Sequence, residues 1–181
     1  MSMPEVATAA PAVAVPATPA ASAVRVLSVE VQDKPGVLFR VCGLIQRRGF
    51  NIQGLSVGRA ETPGRSRMTL TVDAGHAEVD QVEKQLSRLI EVIAVEDLTE
   101  HPHLSRELAL ARLAVKGEQR RQAIDEVRGA GGSVVQAGPE EIVVEVSGEP
   151  EVIEGLRQRL ARYAMVELAR SGPIAVGLAR R

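Results

Sequence analysis

From Val24 onward the hydrophobic positions switch repeatedly between the alternation of a strand and the spacing of a helix, and each switch marks an element. Leu27, Val29 and Val31 alternate against Val24 and Val26, which predicts a strand over Val24–Val31. Asp33-Lys34-Pro35-Gly36 ends it, and Val37, Leu38, Val41, Leu44 and Ile45 follow at helical spacing. A proline near a helix start has no N–H to leave unbonded and its φ is already set, so the helix begins at this turn; Gly49 stops it. Asn51–Val57 is expected as a second strand, Gly58–Ser66 as a polar loop around Pro63-Gly64, and Met68, Leu70 and Val72 as a third strand closed by Asp73–Gly75. A helical stripe of Val79, Val82, Leu86, Leu89 and Ile90 then leads to a short strand over Val92–Val95. The order β-α-β-β-α-β is the split βαβ of ferredoxin-like sandwiches.

The second half repeats that order. Glu107–Val115 is expected as a strand; Ala123, Ile124 and Val127 mark a helix that ends in Gly129–Gly132; Val134-Val135 and Ile142–Val146 are strands joined at Gly138-Pro139. Val152, Ile153, Leu156, Leu160 and Tyr163 form the last helical stripe and Met165–Leu168 the last strand. The predicted fold class is therefore α+β, two tandem ferredoxin-like βαββαβ domains over residues 24–100 and 101–181. Each is near the size at which one core is marginal alone, so mutual packing or oligomerisation is expected. Residues 1–23 hold nine Ala and four Pro without Lys, Arg or aromatics, and are expected to form a disordered tail.

Composition narrows the function. With 22 Lys plus Arg against 23 Asp plus Glu, the net charge is -1, which offers no basic surplus for a nucleic-acid backbone. Phe39, Phe50 and Tyr163 are too few for stacking on bases or sugars. The single cysteine, Cys42, excludes an internal disulfide and a cysteine-based zinc site, and its place beside the first apolar helical stripe suits an inert thiol. There is no apolar stretch of membrane-spanning length, and Pro11, Pro16 and Pro19 break the tail that a secretory signal would need unbroken, so a cytoplasmic location is expected. His101 and His103 flank Pro102 in what is expected to be a solvated linker, with no third metal ligand at suitable spacing, and His76 lies beside a turn. No metal site and no catalytic residue are assigned. Gly36-Val37-Leu38-Phe39-Arg40, followed by Asn51, bears a thin likeness to the phosphate loop of acylphosphatases, but Lys34-Pro35 stand where that family has Gln-Gly, and its Asn-Thr-x-Asp-Gly hairpin is absent.

The stronger signal is Asp33-Lys34-Pro35-Gly36-Val37-Leu38 together with Gly49-Phe50-Asn51-Ile52. A helix N-terminus beside a glycine exposes amide hydrogens to a carboxylate, Asp33 can accept from an ammonium, and the Asn51 amide both donates and accepts. Such a set suits a zwitterionic α-amino acid. The same residues also suit a plain cap and turn, and spacing alone supports both.

The Asp-Lys-Pro-Gly-Val-Leu turn resembles the opening of an ACT domain, a small-molecule sensor of amino-acid metabolism. More specifically, Gly49-Phe50-Asn51-Ile52, Ser66-Arg67-Met68-Thr69, Glu83-Lys84-Gln85-Leu86, Leu89-Ile90-Glu91-Val92 and Glu167-Leu168-Ala169-Arg170-Ser171-Gly172 resemble the small regulatory subunits of acetolactate synthase, in order, over residues 25–181. The resemblance implies a non-catalytic partner of a large subunit that carries thiamine diphosphate, magnesium and FAD and condenses pyruvate with itself or with 2-oxobutyrate. It implies activation of that subunit and feedback by a branched-chain amino acid, usually valine. It also implies ACT domains that form a homodimer with the effector between them, at positions matching Asp33, Gly36, Val37 and Leu38 of one chain and Asn51 and Ile52 of the other.

Overall fold

The computed structural model describes residues 24–73 and 76–178, with the side chains of 76–79 left out. The expected disordered tail, residues 1–23, lies outside the described residues. Nine strands and four helices are present among them, in the order β1 (Val24–Gln32), α1 (Val37–Arg47), β2 (Asn51–Arg59), β3 (Arg65–Asp73), α2 (His76–Leu86), β4 (Val92–Asp97), β5 (His103–Ala114), α3 (Gly117–Gly129), β6 (Ser133–Ala137), β7 (Glu141–Gly148), α4 (Pro150–Leu160), β8 (Ala164–Arg170) and β9 (Ile174–Gly177). They build two four-stranded antiparallel sheets, β2-β3-β1-β4 and β6-β7-β5-β8, each carrying two helices, and β9 pairs with the first part of β5. The α+β class and the repeated βαββαβ order are as the hydrophobic periods predict.

Alternation puts Leu27, Val29 and Val31 of β1 and Met68, Leu70 and Val72 of β3 against Val37, Val41 and Ile45 of α1 and Val82 and Leu86 of α2, in one closed core. The second core gathers Leu113, Ile142 and Val144 under Val127, Ile153, Leu156 and Leu160. The opposite face of the first sheet carries Val24, Val26 and Ser28 of β1 beside Thr69 and Thr71 of β3, and both threonines are buried there although no helix covers them. What covers Thr69 is β9, whose Ala175 N–H donates to Thr69 Oγ1 at 3.2 Å.

Four expectations are corrected. The loop expected over Gly58–Ser66 is shorter, because β2 runs to Arg59 and β3 starts at Arg65. The second helical stripe ends at Leu86; Leu89 still packs on the core from a turn, whereas Ile90 is 89% exposed. The chain leaves the helix there because Glu91 O accepts from Gln32 N–H, which draws it into β4 beside β1. His103 opens β5 rather than belonging to a linker, with its Nδ1 2.9 Å from His101 O. Finally, β8 is followed by a further strand, β9, that no periodicity marks.

Arg170, at the end of β8, fastens the second module's frame. Its Nε and Nη2 donate to the two oxygens of buried Glu107 at 2.8 and 2.7 Å, and its Nη1 reaches Glu154 of α4 at 3.2 Å. Glu154 is also held by Arg157, whose hydrogen bond is the main reason its carboxyl titrates at about 2.

Two outcomes are expected. Glu107→Ala should cost about 2 kcal/mol in chemical denaturation, below the roughly 3–5 kcal/mol of a fully buried broken pair because the Arg170 side chain keeps 33% exposure. The stability difference between wild type and Glu154→Gln should be full above the ordinary carboxylate pKa and disappear as pH falls through about 2, since the folded state holds the charged form. Thermal melts across acidic pH read it directly.

Candidate ligand site

The turn between β1 and α1 is built around Gly36, the residue that caps the helix. It sits at φ +84°, a left-handed conformation that glycine adopts without strain, and it offers no capping side chain. The first turn of α1 also has no acidic residue, so its positive end has no counter-charge of its own there. A Cβ at position 36 would meet only Arg40 Nη2, at 4.0 Å, so the space above the turn is open. Asp33 is exposed and does not cap the helix; its N–H donates to Gly64 O at 2.9 Å. Val37 faces the core, and Leu38 stands 42% exposed beside the turn.

Gly49, at φ +80°, ends the helix as expected and delivers the chain to β2. Asn51 is exposed at the first position of β2, and Ile52 packs partly against the core. The candidate residues thus fall in two groups, and sheet register decides whether they meet. Gln32 at the end of β1 pairs with Arg65, while Asn51 pairs with Asp73 at the far end of the same β3. Eight residue steps of β3 separate these levels, about 27 Å at roughly 3.4 Å per residue. Within one chain, therefore, no single amino acid touches both the Gly36 turn and Asn51.

β2 is an end strand of the sheet and runs parallel to β1, so its own last residues lie level with the turn. Val57 is there, paired with Met68 on the helix side and 47% exposed. Sequence reasoning placed Val57 only at a strand end and gave it no role; its alternation with Leu55 was the available signal. A second chain whose β2 ran antiparallel along this edge would bring its Asn51 and Ile52 to the turn end, beside Leu38 and Val57.

Other candidates do not gather into a site. The Arg40 guanidinium lies beside the turn, its Nη2 4.0 Å from where a Gly36 Cβ would stand, and is engaged by Glu91 at 3.0 Å. Cys42 is half-buried and its thiol is pushed above the ordinary range by burial, which suits an inert residue. Among the described residues no group of three His, Cys, Asp or Glu is placed to hold a metal ion, and no helix is long and apolar enough to cross a membrane. A cavity of about 730 Å³ lies between the modules, bordered by Gly54, Thr71, Arg106, Glu149, Arg170 and Gly172.

Comparison with known proteins agrees with this architecture. Residues 27–94 match the family described as "AHAS small subunit-like ACT domain", and residues 106–179 match "Small subunit of acetolactate synthase". The acetolactate synthase small subunit of Mycolicibacterium smegmatis is 43% identical over 150 residues, covering 83% of this chain and 88% of that protein. The probable acetolactate synthase small subunit of Methanothermobacter thermautotrophicus is 39% identical over 157 residues, covering 86% and 94%. The crystal structure of the acetolactate synthase small subunit from Thermotoga maritima superposes with a TM-score of 0.80 at 31% identity, covering 88% of this chain and 99% of that one. The chain belongs to the acetolactate synthase small-subunit family, regulatory subunits without a catalytic site of their own, and its first module is an ACT domain.

Proposed function

We propose that this chain activates the large, catalytic subunit of acetolactate synthase and makes it sensitive to a branched-chain amino acid, valine foremost, bound between the ACT modules of two copies. Catalysis and the cofactors it uses, thiamine diphosphate, magnesium and FAD, belong to the large subunit. The observation that carries the proposal is the register of the first sheet, which puts the Gly36 turn and Asn51 at opposite ends and leaves β2, among the described residues, as an edge that a two-fold copy can pair with.

In the paired arrangement each group has a defined task. The amides at the start of α1 take the effector carboxylate, where the helix end favours negative charge and Gly36 presents no side chain. Asp33 accepts from the ammonium of the effector, and Asn51 of the second copy donates and accepts at the same polar end. Leu38 and Val57 of one copy, with Ile52 of the other, surround the branched side chain. Burying an isopropyl group gains roughly 2 kcal/mol, enough to reject glycine and alanine, while one methylene separates valine from leucine by only about 1 kcal/mol. Affinity by itself regulates nothing. The effector must bind the less active arrangement of the holoenzyme more tightly, and a coupling of about 1–3 kcal/mol changes activity several-fold to about a hundredfold.

Mixing the purified chain with its large subunit is expected to raise acetolactate output and to make it fall on valine titration; failure of both would contradict the proposal. Gly36→Asp should abolish valine inhibition while leaving activation. Aspartate tolerates the left-handed conformation better than most residues and sets a carboxylate where the effector's own must lie. Undiminished valine inhibition in that variant would place the effector elsewhere.

A further inference from the structure

Arg170-Ser171-Gly172, the last motif of the sequence resemblance, stands where the second module meets the ACT sheet. It begins a strap, Ser171–Gly177, that leaves the second module and lies across the helix-free face of the ACT sheet. Ser56 Oγ of β2 donates to Ser171 O at 2.9 Å, and Ala175 N–H donates to Thr69 Oγ1 of β3. Farther along, a Cβ on Gly177 would lie 3.4 Å from Leu98 Cδ2, just past β4. At its first end the strap is fastened to its own module. Ser171 N–H donates to Leu108 O, Leu108 N–H donates to Ser171 Oγ, and the preceding Arg170 grips Glu107 with two hydrogen bonds.

The strap's seat on the ACT sheet has no slack at one residue, Gly54. A Cβ there would lie 2.5 Å from Thr71 Oγ1 and 3.0 Å from Pro173 Cδ, and the Gly172 Cα is 3.8 Å away. On the other side, a Cβ on Gly172 would be 3.2 Å from Leu55 N. The two glycines therefore let β2 and the strap approach backbone to backbone. Gly54 is also where the β2–β3 register shifts, between Ile52 and Gly54, with Gln53 as the extra residue. The contact to the strap is thus two residues from Ile52 and three from Asn51, on the same strand. Around Gly54 the contact is small and polar, with Ser56, Thr69 and Thr71, whereas its far end buries Ala175 and seats Gly177 beside fully buried Leu98.

From this we infer that the Ser171–Gly177 strap, seated on Gly54, is the element through which effector occupancy at Asn51 and Ile52 reaches the second module. The inference rests on the effector site proposed above. An effector that fixes the start of β2 also fixes the bulge, and the bulge sets where Gly172 and Pro173 sit. Because Arg170 and Ser171 tie the strap to β5 and α4, that position is passed to the second module as a rigid shift. Two modules that merely stood side by side would need no glycine pair at their contact.

Hydrogen exchange on the reconstituted holoenzyme, with and without saturating valine, tests this directly. Amide protection is expected to change in β2 and also in residues 174–177; a change in β2 with none in the strap overturns the inference. Gly54→Ala should retain activation and calorimetric valine binding to the small subunit while valine inhibition weakens by about tenfold. Ser56→Ala removes one bond to the strap without adding atoms, so it guards against a misfolded Gly54→Ala and should weaken inhibition in the same direction. Wild-type inhibition in both variants overturns the strap's role and leaves the effector site standing. A wild-type holoenzyme that responds to none of valine, leucine and isoleucine overturns the effector site, and the strap's role falls with it.

Discussion

The length of one strand constrains everything else in this molecule. β3 pairs antiparallel with β1 on one side and β2 on the other, so β1 and β2 run in the same direction and the turn that follows β1 and the residues that open β2 are held a full strand apart. A rigid antiparallel sheet does not bend to bring them together, because any slip of register by one residue would turn Met68, Leu70 and Val72 out of the core. In the arrangement proposed for this chain, the helix end at Gly36 and the Asn51 amide meet only between two copies. On that proposal, regulation by a small amino acid is inseparable from assembly, and the edge of β2, unpaired among the described residues, is where assembly takes place.

The second module supplies what the ACT sheet lacks on its other face. Helices cover one side of the sheet, and the opposite side, where Ser56, Thr69 and Thr71 stand beside Val26, would otherwise be open to water. The strap after β8 covers part of it with backbone and a few short side chains rather than with a second apolar core. Such a contact holds through hydrogen bonds and close approach at Gly54 and Gly172, which suits a joint between modules more than a permanent fusion.

Much of this was legible in the sequence where a residue imposes its own geometry. Pro35-Gly36 fixed the turn and the start of α1, Gly49 fixed its end, and alternation in β1 and β3 gave the core face. What was not legible depends on partners distant in sequence. β9 is only four residues long and is a strand because His103–Arg106 pairs with it, and those same four residues of β5 carry too little apolar pattern to distinguish them from a linker. Leu89 and Ile90 continued a helical stripe in sequence, but the chain there was already captured by β1 through Gln32 and Glu91. The candidate site residues were identifiable by type, whereas their separation along β3 and the position of Val57 level with the turn follow only from register.

A complementation experiment tests most directly whether the site is shared between copies. Gly36→Asp and Asn51→Ala chains each lose every site as homodimers. A mixed dimer with shared sites keeps one intact, because the unaltered turn of one chain faces the unaltered Asn51 of the other. Calorimetry on the two variants, mixed and allowed to exchange subunits, should recover valine binding that neither shows alone, with one site per mixed dimer. Absence of any recovered binding in dimers verified as mixed would contradict the shared site, since a pocket confined to one chain is broken in both partners.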